Sequence, residues 1–227
     1  MLKKIFCIIL VISSVFSIFS CTQEPKELTE AERIEQMISD IGAITKYDEA
    51  TKAKVEEAVN AYNNYINSLE LPALSEIDSE KVDELKELML TQALYNYAKS
   101  LIDVVIFDIK AKLYRPSSFE LNLLTLEVYK EKKGQYSVPQ YFFQIYVDYS
   151  AQTMAGGYNR STESLWDAEF VSDSSNSTEI NFVDIYNKTA SPSRAPSNSL
   201  EEYFKKNNIE GHFIFSMAKS DITWTLE

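Results

Sequence analysis

The side chains able to do chemistry are few. The 227-residue chain has one histidine, His212, and two cysteines, Cys7 and Cys21. A Cys/His zinc centre takes about four such ligands, so none is expected. His212 opens a strand-like run with Phe213 and Phe215. A general base needs a nucleophile placed beside it, and the sequence places none, so His212 reads as a strand-end residue. Serine catalysis has no Gly-x-Ser-x-Gly elbow to present it. Five glycines supply no phosphate cradle, and no GKS or GKT string occurs. The acids Asp48, Glu49, Asp78 and Glu80 lack the alternating loop of an EF-hand. They read as first-turn acids that complement helix dipoles. Paired carboxylates could cleave a glycoside. Among 34 acidic residues, however, pairs arise by chance and mostly face water. No catalytic, metal or cofactor residue is assigned. A net charge of −12 excludes a nucleic-acid surface, which needs a basic face.

One cysteine has a context that points to chemistry. Lys3 and Lys4 precede an uncharged apolar run from Ile5 to Phe19, and Ser20-Cys21 follows. Fifteen residues are too few to cross a bilayer, which takes about 20. Their charged start and short apolar core are those of a secretory signal. The string Ile18-Phe19-Ser20-Cys21 resembles the lipobox of bacterial lipoproteins. Ile18 and Ser20 suit that pattern, and Phe19 is bulkier than its usual occupant. The resemblance implies a diacylglycerol group on the Cys21 sulfur, cleavage just before Cys21, and acylation of the new amino group by a fatty acid such as palmitate. An ordinary signal peptide with an incidental cysteine is the plain alternative.

The anchor has a simple energetic basis. Each buried methylene contributes about 0.8 kcal/mol, and a single chain holds only marginally, so stable anchoring takes more than one. The sequence therefore predicts a signal over 1–20, a lipid-anchored tether over 21–28 and a single domain over 29–227. The expected address is the cell envelope. Thr22 stands where an Asp would resemble an inner-membrane retention signal. That favours the outer membrane where the source has one, and otherwise the outer face of the plasma membrane. Loss of Lys3 and Lys4 takes the charge from −12 to −14. Anionic headgroups repel so acidic a body, which is expected to stand off the surface.

Hydrophobic content of 45% and aromatic content of 12% are those of a packed domain. Thr29 and Glu32 have capping-box spacing before a stripe of Ala31, Ile34, Ile38 and Ile41. Val55, Val59, Tyr62, Ile66 and Leu69 mark a second helix over 48–69. A third starts near Ser79, with Val82, Leu85, Met89, Ala93, Tyr97 and Leu101 on one face, and runs toward Leu113. From Arg115-Pro116 onward the pattern turns strand-like. Strands are expected over 119–129, 141–149, 165–171, 179–186, 212–218 and 221–226. A polar loop over 187–199 precedes a short helix to Asn207, opened by a Ser199/Glu202 capping box. Helices over 29–114 followed by strands over 117–227 imply an α+β fold. Three N-terminal helices should pack on a C-terminal antiparallel sheet with one short late helix.

Two segments of this domain stand out, Leu113 to Leu121 and Tyr149 to Tyr158. They resemble a pairing in small secreted bacterial proteins: a helix ending in Leu-x-x-Pro-x-Ser, two strands, then a Gly-Gly bend. The resemblance implies a small α+β unit and carries no functional residue. In 141–149 the odd positions should face the helices, which leaves Phe142 and Tyr146 on the other face. If open, that face is an aromatic contact surface for an envelope protein or glycan. If Trp166, Trp224 or the late helix covers it, it is core. Three functions stay in view: a non-enzymatic binding lipoprotein, a lipid-anchored envelope hydrolase with paired carboxylates, and a structural or assembly lipoprotein.

Overall fold

The computed structural model describes residues 27–71, 75–132, 139–171, 179–180, 190–194 and 200–221. The chain divides into two compact units, 1–30 and 31–227. Of the first only 27–30 are described. The fold is that of the second, and the leading helix starts at the boundary residue Glu30.

Helix α1 (Glu30–Ile41) buries Ala31, Ile34 and Ile38, the stripe expected from its spacing. Helix α2 (Glu49–Ser68) buries Val55, Ala58, Val59, Tyr62, Tyr65 and Ile66. Its N-cap is Asp48, whose side chain accepts from the Thr51 N–H. Helix α3 (Ser79–Lys112) is a single element. The β-branched run at 104–107 stays helical, since Val105 and Ile106 pack inward with Ile109 and Leu101. Lys110 and Lys112 in its last turn complement the negative helix end. Pro116 then opens a 3-10 turn, Pro116–Ser118, that leads into the sheet.

The strands are β1 (Glu120–Glu131), β2 (Gln140–Gln152), β3 (Tyr158–Phe170), β4 (Ser193–Arg194) and β5 (Gly211–Ala218). Their order across the sheet is β4-β3-β2-β1-β5, and all pairings are antiparallel. Four strands thus form a meander, and the fifth returns to the opposite edge beside β1. Helix α4 (Leu200–Asn207) lies in that crossover. Its side of the sheet follows from packing. One face already carries α1, α2 and α3 against Leu124, Leu126 and Val128 of β1 and the odd positions of β2. The crossover therefore takes the other face.

The fold class expected from the sequence is the one observed. Several boundaries differ. β3 starts at Tyr158, seven residues before the expected Leu165. Its first half, Tyr-Asn-Arg-Ser-Thr-Glu-Ser, has no apolar alternation to signal a strand. A two-residue strand, β4, falls inside the expected loop 187–199. Residues 179–180 are not strand, and 181–186 lie outside the described residues. Asp221 belongs to a 3-10 turn, and the rest of the expected strand 221–226 is also outside them.

Candidate functional site

The sheet face away from α1 to α3 is the surface singled out by Phe142 and Tyr146, and the structure separates the pair. Phe142 is 2% exposed. It sits under α4 with Leu200 and Phe204, edge-on to the Phe204 ring and stacked on Trp166. The expected contact surface is thus corrected at Phe142: burying a phenyl ring under an amphipathic helix outweighs exposing it. Gln144 fixes α4 from the sheet side, its Oε1 accepting from the Leu200 N–H at 3.1 Å. Ser199, the expected cap, lies outside the described residues, as does Trp224.

Tyr146 is 36% exposed and lies beyond the reach of that cluster. Its neighbours across the ladder are Thr125 and Ser164. Two residues on, Asp148 is 3% exposed yet ionic. Its oxygens accept from Arg160 Nε at 2.9 Å and from Arg160 Nη2, and Oδ1 accepts from Asn122 Nδ2 at 3.1 Å. Arg160 first, then Asn122, holds the Asp148 carboxyl below the usual carboxylate range. The Arg160 side chain as a whole stays 71% exposed. Among the described residues this half of the face thus exposes the Tyr146 ring and the Arg160 side chain, while Asn122 Nδ2 and Arg160 Nε and Nη2 are turned to Asp148. Such a surface can stack on and hydrogen-bond a polar partner. Sequence reasoning found Tyr146 by alternation. It missed Asp148 and Arg160, whose pairing depends on the β2–β3 register.

The two segments of the secreted-protein pattern do meet in space. Ser118 Oγ donates to the Arg115 carbonyl at 2.7 Å and accepts from the Gln152 N–H at 2.9 Å. Arg115 Nη1 donates to Gln152 Oε1 at 2.7 Å, and Gln152 Nε2 reaches the Gly156 carbonyl at 3.2 Å. Gly156 has φ +87°, a conformation that favours glycine. These bonds make a tied corner and leave no reactive group in it.

A carboxylate pair is present as well, in the interior. Tyr97 of α3 is 1% exposed, and its hydroxyl lies 2.7 Å from Asp167 Oδ2 and 3.0 Å from Glu169 Oε1. Burial, then the two carboxylates, raises the Tyr97 pKa far above its ordinary value. Asp167 also accepts from the backbone N–H groups of Ala168 at 2.9 Å and Ser191 at 3.0 Å. The group ties α3, β3 and the segment before β4 together. Its signal was in the sequence: Asp167 and Glu169 alternate in phase with Leu165 and Val171 on a strand. Two acids at inward positions require a buried donor.

An open groove of about 340 Å³ lies between α2 and α3, lined by Glu49, Lys52, Asn96, Lys99 and Asp103. Its charges pair among themselves, Lys99 with Asp103 at 2.9 Å and Lys52 with Glu49 at 3.7 Å. His212 is exposed at the start of β5, opposite Lys130. Among the described residues no group of three His, Cys, Asp or Glu side chains is placed to hold a metal. Among them, too, no helix is long and apolar enough to cross a membrane. Cys21 lies outside the described residues. Comparison with family models, curated proteins and solved structures finds no match to this chain.

Proposed function

We propose that this protein is a lipid-anchored, non-enzymatic binding module of the bacterial cell envelope, held by Cys21. The observation that carries this reading is the run from Met1 to Cys21: two lysines, fifteen uncharged residues and a lipobox-like end at the cysteine. The folded body that follows is the binding part. Its supporting feature is the half of the outer sheet face where, among the described residues, Tyr146 and Arg160 are exposed and could meet an envelope protein or glycan. The paired carboxylates Asp167 and Glu169 serve the interior, where Tyr97 and backbone donors occupy them. The anchor is tested by replacing Cys21 with Ala and feeding cells radioactive palmitate. The parent chain should carry label and Cys21→Ala should carry none. Label persisting on the variant rejects acylation at that residue.

A further inference from the structure

Helix α4 divides the outer face of the sheet. Gln144 of β2 bonds the first residue of α4, and Phe142 and Trp166 pack with that helix. The next row of the ladder, Thr125–Tyr146–Ser164, is not part of that cluster. From this row to Gln152, where β2 ends, large side chains of the same face stay open. Leu123 lies opposite Asp148 and Tyr158 opposite Gln152, and residues opposite each other in a ladder share a face. Leu123 is 47% exposed, Tyr146 36% and Tyr158 58%. The charges of these rows nearly cancel. Arg160 turns Nε and Nη2 to Asp148, and among the described residues its Nη1 has no acceptor. Glu120 is exposed opposite Ser150, and Lys219 Nζ donates to the carbonyl of the neighbouring Leu121.

Size and chemistry select the occupant. Three strands at about 4.8 Å and six residue steps at about 3.4 Å make a strip of about 15 by 20 Å. Its area is about 300 Å², while each side of a stable protein interface takes about 800 Å². The strip alone is too small for a protein partner and suits a chain of a few sugar rings. A pyranose has an apolar C–H face, which an exposed tyrosine ring can meet. Its rim carries hydroxyls that both donate and accept, as do the hydroxyls of Thr125, Thr162 and Ser164 in this strip. Asp148 already balances the guanidinium charge, so the Nη1 donors of Arg160 suit a neutral oxygen. A body of net charge −12 disfavours an anionic sugar. We infer that this strip binds a neutral oligosaccharide of the envelope, laid along β2 and β3 from Tyr146 toward Tyr158 with Arg160 between them. The inference deepens the binding-module reading and rests on it, and it needs no acyl group.

The test is calorimetric titration of the full-length lipidated chain in a detergent without sugar headgroups. The probes are neutral tetrasaccharides of N-acetylglucosamine, glucose and mannose, and an acidic one of galacturonic acid. At least one neutral probe should bind, and more tightly than the acidic one. Tyr146→Ala and Tyr158→Ala should each weaken binding about tenfold. Tyr146→Phe keeps the ring and should bind as the parent does, which separates stacking from a folding defect. Phe107→Ser, on α3 at a position 72% exposed, should leave binding unchanged. Cys21→Ala should bind the neutral probe as tightly as the parent, so loss of palmitate label and loss of sugar binding are separate results. No binding of any neutral probe, tighter binding of the acidic one, or equal loss in Phe107→Ser and Tyr146→Ala overturns the inference. The anchor then stands, and the face is left to a protein partner.

Discussion

Asp148 shows how one residue's surroundings set its chemistry. A nearly buried carboxylate keeps its charge because Arg160 and Asn122 supply donors to it. Its pKa is lowered in the fold, so the unfolded chain takes up the proton first as pH falls. The pair's contribution is therefore complete above the ordinary carboxylate range and disappears as pH drops through the lowered value. Arg160→Gln should be less stable than the parent chain near neutral pH and converge with it in strong acid. Urea unfolding of both proteins across pH measures this directly. A constant gap down to strong acid would mean that Arg160 acts by packing alone.

Among the elements, α4 depends on a single close approach. A Cβ at Gly211 would stand 2.5 and 2.7 Å from two ring carbons of Phe204, a buried side chain. Gly211→Ala should therefore cost about 1–3 kcal/mol by forcing the ring off its site on Phe142 and Tyr129. Combined with Phe204→Ala, it should cost much less than the sum, because the clashing ring is gone. Denaturant titrations of the two single variants and the double variant test the coupling. Elements of this kind were legible in the sequence where burial is one-sided: the stripes of α1 and α2 and the odd positions of β2 each carry a clean period. β3 was half hidden, because Tyr158 to Ser164 lies at the polar end of its ladder and follows no apolar rhythm. The side of the sheet that α4 covers was illegible, since it follows from the face that α1, α2 and α3 already occupy, a long-range outcome. That outcome decided the fate of Phe142. Alternation placed it with Tyr146 on one face, and only the path of the crossover separates them.

Across the whole molecule the buried tyrosines tie the stability of the core to alkaline pH. Burial pushes Tyr141 up to about 12 and raises Tyr62, Tyr95 and Tyr97 as well. The unfolded chain loses these protons near its ordinary tyrosine value, about 10, before the fold does. Stability therefore holds below that pH and falls as pH rises through the Tyr141 value. Phenolate absorbance should show the buried set, Tyr62, Tyr95, Tyr97 and Tyr141, ionising only above the ordinary tyrosine value, in one step with loss of the far-UV helix signal. Early, separate titration of the buried set would show a looser core.

The stack of Tyr95 on Phe215, with ring centroids 3.9 Å apart, joins the middle of α3 to β5. Those two residues are 120 positions apart. A chain emerging from the ribosome thus carries α3 with an unfinished greasy flank until β5 has also been made. Such a body cannot settle strand by strand in the order of its synthesis.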